Sequence, residues 1–173
     1  IADWYCQLWA ESLGKAVDFK GKVVNAGTTP VKSLGVTDQH SQVQLYIEGP
    51  FDKVITFISV EKYGCEMKIP HGCEDIPDVG FLGGHTMQEL IQAENKATAY
   101  ALMRAGRMNY TINMPEINAF TLGQLLFMLE LQTAYTGALL NIDTYTQPGV
   151  ENGKTATFAL LGKKGYESQK AEM

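Results

Sequence analysis

The chain has 173 residues, of which 45% are hydrophobic, and a formal net charge of −5 from 14 Lys and Arg against 19 Asp and Glu. This length supports one domain with a substantial core, and the composition excludes a disordered chain. The mild acidity gives no electrostatic footprint for nucleic acid. Three cysteines without a regular framework argue against a disulfide scaffold and indicate a reducing, cytoplasmic compartment.

The first fourteen residues, IADWYCQLWAESLG, already have the pattern of a helix interior. Apolar side chains fall at positions 1, 4, 5, 8 and 9, close to one face of a 3.6-residue period. Because a natural chain rarely begins inside an element without a cap, the pattern predicts a fragment of a longer protein. The polar stretch GKAVDFKGK then predicts a loop, and KVVNAG (22–27) predicts a short strand.

The middle of the chain alternates predicted helices with short apolar runs. TDQHSQVQLYIEG (37–49) predicts a helix with Thr37 or Asp38 as its N-cap, and VITFISV (54–60) predicts a strand buried on both faces. Residues 61–82 are irregular. Thr86 and Glu89 have the spacing of a capping box that opens a helix to about Arg104, after which MNYTINM (108–114) predicts another strand.

A second capping box, Thr121 with Gln124, opens a long apolar helix that runs to about residue 142. Glu130 and Gln132 lie inside this apolar stretch and favour a buried helix over a membrane span. TATFALLG follows as a last helical or extended piece. The alternation of helices and strands predicts an α/β three-layer sandwich with a mainly parallel sheet and helices on both faces.

Two candidate proton-transfer groups stand near predicted helix ends. His40 falls in the first turn of its predicted helix, where exposed N–H groups disfavour imidazolium and lower the pKa toward that of a proton shuttle. Glu11 lies near Trp4, Trp9 and Leu8, and burial there would raise the carboxyl pKa toward that of a general base. Pattern alone favours the plainer alternatives, a surface or packed histidine and a solvated helix-end glutamate.

QPGVENGK (147–154) is a third candidate site. Pro148-Gly149 predicts a turn, with a helix opening near Val150 and Lys154 one turn inside it. Such a turn presents the Gln147 amide and the Lys154 ammonium to one polar ligand. The alternative is an ordinary loop-to-helix junction, which pattern alone again favours.

Two further motifs are weaker candidates for a functional site. Cys65, His71 and Cys73 form C-x5-H-x-C, which supplies three ligands at a spacing that structural zinc sites do not use, so zinc is disfavoured. GFLGGH (80–85) precedes a predicted helix but lacks GxGxxG spacing and a P-loop lysine, which favours a plain tight turn.

Taken together and in order, WAESLGK, TDQHSQVQLYIEGP and NIDTYTQPGVENGK resemble three motif segments of the phosphoglucose isomerase (glucose-6-phosphate isomerase) family. The resemblance extends over the whole chain, and QPGVExGK is its most specific block. It implies a Rossmann-like sugar-isomerase (SIS) domain over residues 1–162, followed by a polar, frayed tail at 163–173. It also implies the C-terminal part of a cytoplasmic enzyme of glycolysis and gluconeogenesis that needs no metal or organic cofactor.

The resemblance implies interconversion of glucose 6-phosphate and fructose 6-phosphate through a cis-enediol(ate). Glu11 matches the general base, His40 and Lys154 match groups that assist ring opening, and Gln147 matches a substrate-binding residue. His40 would reach the active site of the neighbouring subunit in a homodimer. The family's phosphate-binding loop and enediolate-stabilising arginine have no counterpart here, which predicts an inactive isolated chain. A stand-alone sugar-phosphate-binding module and a structural dimerisation domain remain alternatives.

Overall fold

The computed structural model describes residues 1–172, which divide into two compact units. The first unit holds Ile1–Val31 together with the chain from Phe127 onward, and the second unit holds Lys32–Leu126. In chain order the elements are α1 (Ala2–Leu13), β1 (Lys15–Val17), β2 (Val23–Ala26), α2 (Thr37–Ser41), α3 (Val43–Glu48), β3 (Ile55–Lys62), α4 (Pro77–Gly80), α5 (Met87–Arg104), β4 (Asn109–Glu116), α6 (Ala119–Leu139), α7 (Pro148–Leu160) and α8 (Glu167–Ala171).

The first unit contains an antiparallel hairpin of β1 and β2. Lys15 pairs with Ala26 and Val17 pairs with Val23. The strand predicted at 22–27 is confirmed. The loop predicted by GKAVDFKGK is wrong at β1, because pairing with β2 makes a strand out of residues whose polar composition does not indicate one.

The second unit contains a parallel pair of strands in continuous register. Ile55 of β3 lies beside Asn109 of β4, and Lys62 lies beside Glu116 at the other end. Helix α5 contacts both strands and joins them in sequence, as the crossover of a βαβ unit does. The α/β class and the parallel sheet that the alternating pattern predicts are therefore confirmed.

The exposure of β3 differs from the expected burial on both faces. Ile55, Phe57 and Ser59 are half-buried, whereas Thr56 and Ile58 on the opposite face are exposed, Ile58 to 42%. A short apolar run reports the character of its side chains and not what covers them. Within residues 1–172 one face of the strand stays open.

Helix starts follow the predicted capping chemistry at α5 but not at α6. Thr86 Oγ1 accepts a hydrogen bond from the Glu89 N–H at 3.1 Å, and the Glu89 carboxylate accepts one from the Thr86 N–H at 2.7 Å, so this capping box is confirmed. Helix α6 begins two residues before Thr121, and Asn118 Oδ1 accepts a hydrogen bond from the Thr121 N–H at 2.9 Å. The box predicted to open at Thr121 is wrong, because Asn118 supplies the capping oxygen instead.

Helix α6 buries one stripe of its surface. Leu125, Leu129 and Thr133 are at most 4% exposed, and the Thr133 hydroxyl donates to the Leu129 carbonyl at 2.9 Å, which satisfies the buried polar group. Among the helices of residues 1–172, none is long and apolar enough to cross a membrane.

Two regions that the sequence predicts to be irregular contain short elements. β3 continues through Lys62, and α4 forms one turn near the end of the 61–82 segment. The polar tail from residue 163 contains α8, and the Lys163 ammonium lies 3.8 Å from the centroid of the Phe158 ring. Met173, the last residue of the predicted tail, lies outside the described residues.

Candidate functional site

Glu11 lies on α1, two residues before the helix ends. Its carboxylate accepts a hydrogen bond from the Gln7 amide one turn earlier, at 3.1 Å. The side chain is exposed, which agrees with the solvated helix-end glutamate that pattern alone favours and not with burial among Trp4, Trp9 and Leu8. The reason is helical geometry: Leu13, at 1% exposed, faces the core, and a residue two positions earlier lies about 200° around the helix axis.

The carboxyl end of α1 is closed by a lysine. Lys15 Nζ donates to the carbonyl of Glu11 at 2.9 Å and to that of Ser12 at 2.7 Å, and the residue is 7% exposed. Burial lowers the pKa of this ammonium below its ordinary value, and the nearby carboxylates of Asp143 and Glu11 act in the opposite direction. Two of the carbonyls that a helix end leaves without helical partners are thus satisfied beside Glu11.

The loop after α6 packs tightly against the end of that helix. A Cβ atom at Gly137 would clash with Thr144 Cγ2 and would lie 3.6 Å from Leu13 Cδ2. Thr144 and Ile142 are buried, and the Ile142 N–H donates to the Gly137 carbonyl at 3.0 Å. This close approach brings the loop that leads to Gln147 to the end of α1 that carries Glu11.

We expect Gly137→Ala to lower the free energy of unfolding by about 1–2 kcal/mol, because the added methyl group overpacks a site occupied by Thr144 and Leu13. The matched control is Gly123→Ala in the same helix, where no described atom lies within 4 Å of the added Cβ. Alanine there should raise stability by up to about 1 kcal/mol through helix propensity. Urea unfolding of both variants checks the pair, and equal shifts would contradict the tight approach.

Gln147 and Lys154 flank the start of α7. The helix begins at Pro148 rather than near Val150, because proline is favoured at the first helical position. Gln147 is the residue before it, is exposed, and does not use its side chain to cap the helix. The Lys154 ammonium, with its side chain 56% exposed, donates to the Glu151 carboxylate one turn earlier at 2.7 Å.

His40 lies in the second unit, on α2. The single helix predicted over 37–49 is two helices, α2 and α3, that break at Gln42, whose φ is −123°. Because α2 ends at Ser41, His40 sits in its last turn, which presents carbonyls rather than N–H groups. The helix-start argument for a neutral imidazole therefore does not apply, and the exposed side chain is a surface histidine in the described chain.

The predicted cap of α2 also differs. Val36 occupies the N-cap position without a side-chain hydrogen bond, so neither Thr37 nor Asp38 is the cap. Asp38 instead accepts the Leu34 N–H at 2.6 Å and the Ser41 hydroxyl at 2.8 Å. These hydrogen bonds, the first above all, hold the pKa of the Asp38 carboxyl below its ordinary value.

The first unit therefore holds three of the four candidates, Glu11, Gln147 and Lys154, and the second holds His40. Within the described residues of the first unit, no hydrogen bond or ion pair joins any two of Glu11, Gln147 and Lys154. Sequence reasoning did not single out Lys15 and Glu151 as their supports. Two sequence patterns indicate them. A lysine just after a helix-ending glycine indicates Lys15, and an acid three residues before a lysine on one helix indicates Glu151.

Side chains elsewhere add no metal site to this arrangement. Across the described chain, no group of three or more His, Cys, Asp or Glu residues is placed to hold a metal ion. Cys65 and Cys73 are exposed free thiols, and the His71 ring lies against the backbone of Gly83 and Gly84.

Sequence comparisons relate the whole chain to known proteins. The model of the phosphoglucose isomerase family matches residues 1–171. The glucose-6-phosphate isomerase of Carboxydothermus hydrogenoformans is 53% identical over 173 residues, which are 100% of this chain and 37% of that protein. That of Rubrobacter xylanophilus is 49% identical over 168 residues, which are 97% of this chain and 37% of that protein. The chain thus spans 37% of the length of either relative.

Structural comparisons agree in fold. A crystal structure of a Thermus thermophilus protein, described as hypothetical, superposes with a TM-score of 0.86 at 40% identity, covering 93% of this chain and 38% of that one. A glucose-6-phosphate isomerase from Chlamydia trachomatis superposes with a TM-score of 0.73 at 21% identity, covering 93% of this chain and 32% of that one. At 21% identity the second likeness concerns the fold alone.

Proposed function

We propose that this chain, which belongs to the phosphoglucose isomerase family, supplies part of an active site for the interconversion of glucose 6-phosphate and fructose 6-phosphate. The observation that carries the proposal is the family match over residues 1–171, which includes the motif residues Glu11, Gln147 and Lys154 of the first unit. We also propose that residues 1–162 are a sugar-isomerase-type domain of a cytoplasmic enzyme, followed by the tail at 163–173.

In the proposed reaction Glu11 is the base. Its carboxylate removes the proton from C2 of the open-chain aldose, the electron pair forms the C1–C2 double bond, and the C1 carbonyl electrons move to O1 to give a cis-enediolate. A proton passes from the O2 hydroxyl to O1, and the carboxylic acid then returns its proton to C1 as the carbonyl re-forms at C2. An exposed carboxylate suits this role, because a base must come within hydrogen-bond reach of the proton it abstracts.

The remaining candidates act on the ring and on binding. The Lys154 ammonium and the His40 imidazole assist ring opening, which requires a proton to reach the ring oxygen and another to leave the C1 hydroxyl. The Gln147 amide orients substrate hydroxyl groups. We propose that His40 acts in the neighbouring subunit of a homodimer, and its exposure in the described chain supports this.

The proposal is tested by a coupled isomerase assay on the full-length product of the gene that encodes this chain. Lys154→Met should lower kcat/KM with glucose 6-phosphate by about 10²-fold, since it removes one proton-transfer group. With an aldose 6-phosphate that cannot form a ring, Lys154→Met should lower kcat/KM much less, because ring opening is bypassed.

The matched control is Lys164→Met, which removes an exposed lysine from the polar tail and should leave both rates unchanged. Unchanged kcat/KM in Lys154→Met, or equal losses for cyclic and open-chain substrates, would contradict the ring-opening role of this lysine.

A further inference from the structure

The lysine that closes α1 has no part in the proposed chemistry. Lys15 is 7% exposed, and two of its three ammonium hydrogens are taken by the carbonyls of Glu11 and Ser12. Lysine is almost never buried without a partner, because removing an ammonium from water is costly. A buried lysine one turn beyond a candidate base therefore calls for a function of its own.

Two parts of the first unit hold this ammonium in place. Its backbone belongs to β1, where Lys15 pairs with Ala26 of β2. Its two hydrogen bonds reach back to the last turn of α1. Two carboxylates act electrostatically to raise the pKa of this ammonium, Asp143 in the loop after α6 and Glu11 itself, and the Asp143 carboxylate accepts the Tyr145 N–H at 2.9 Å.

The same loop continues to Gln147 and then to α7 with Lys154. From this loop the Asp143 carboxylate favours the charged form of Lys15, an electrostatic link to the segment that carries the candidate base. Leu13, whose side chain lies close to Gly137 and so to buried Thr144, packs the same two segments together. At Glu11 itself, the two hydrogen bonds of Lys15 tie the last turn of α1 to β1.

We propose that Lys15 is a positioning residue for Glu11: its ammonium, hydrogen-bonded to the last carbonyls of α1, fixes where the Glu11 carboxylate meets the substrate. The inference rests on the proposed function, since it gives Lys15 a role through the base. Without the ammonium, the two carbonyls lose their partner and the last turn of α1 is free to fray. Displacement of a catalytic group by about 1 Å is enough to cost about 10²-fold in rate.

The first test is Lys15→Met in the full-length gene product. We expect kcat to fall by about 10- to 100-fold with KM nearly unchanged, because base geometry matters in the transition state more than in substrate binding. Lys22→Met on the same hairpin is the matched control, since Lys22 is exposed and should leave kcat unchanged. A Lys15→Met variant that folds and keeps the parent kcat overturns the proposal.

A double-mutant cycle with Glu11→Gln separates positioning from a merely structural role. If Lys15 acts through Glu11, adding Lys15→Met to Glu11→Gln should lower the residual turnover no further. Losses that multiply in the double variant would show an effect independent of Glu11 and would also overturn the proposal. Full turnover in Glu11→Gln alone would instead contradict the proposed function, because Glu11 would then not be the base.

If Lys15→Met does not fold, Asp143→Asn provides a second test. Asparagine retains an oxygen for the Tyr145 N–H but removes the negative charge that favours the protonated form of Lys15. We expect kcat to fall by about 3- to 10-fold with KM nearly unchanged, in a variant whose urea midpoint shows that it is folded. An unchanged kcat in that folded variant counts against the link.

Discussion

Replacing Glu11 by glutamine is expected to lower the turnover number of the full-length gene product by about 10³-fold with little change in KM. The substitution keeps the size of the side chain and an oxygen that can still accept the Gln7 amide hydrogen bond. It removes the basic carboxylate, so the C2 proton has no acceptor. Turnover measured in a coupled assay in both directions should fall equally, because the same carboxylate serves both.

A partial reaction makes this test sharper. In deuterium oxide the parent enzyme should exchange the transferred hydrogen with solvent while the carboxyl group holds it, and Glu11→Gln should lose this exchange together with turnover. Asp3→Asn is the matched control, since it neutralises an exposed carboxylate in the first turn of the same helix and should leave kcat nearly unchanged. Full turnover or full exchange in Glu11→Gln would exclude Glu11 as the base.

The second large effect concerns the 173 residues on their own. We expect their isomerase turnover to be at least about 10³-fold below that of the full-length gene product, because an enediolate needs fixed positive charge or hydrogen-bond donors, each worth about 10²–10³ in rate. The sequence contains arginine at positions 104 and 107 alone, and both belong to the second unit.

The two arginines have different surroundings in the second unit. Arg107 donates to the carbonyls of Ile47 and Gly49 at the end of α3, and its guanidinium lies 5.6 Å from the centroid of the Phe51 ring. Arg104 is exposed in the last turn of α5. Within the described residues of the first unit, no guanidinium accompanies Glu11.

The measurement is a coupled assay on the purified 173-residue chain beside the full-length gene product at equal concentration. Far-ultraviolet circular dichroism and a cooperative urea transition establish that the isolated chain is folded when it is assayed. Turnover within about 10-fold of the full-length product by the folded chain would contradict the expectation, because this chain would then itself supply the groups that stabilise the enediolate.

Local sequence patterns were enough to predict some of the elements. The β-branched run at 54–60 predicts β3, and Thr86 with Glu89 predicts the start of α5, because alternation and capping involve residues a few positions apart. The motif segments around Glu11, His40 and Lys154 also identify the family from sequence alone. The break at Gln42 and the cap at Asn118 are also local but were not predicted, because neighbouring side chains compete for the same backbone groups.

The support of the candidate site depends on contacts between residues that are distant in the chain. Glu11 faces outward because Leu13 takes the core-facing position, and Lys15 closes the helix end because its own strand pairs with Ala26. The loop before Gln147 lies where it does because Gly137 leaves room for Thr144. Each of these facts depends on residues far apart in the chain, and no periodicity or capping pattern reports which distant side chain will fill a given space.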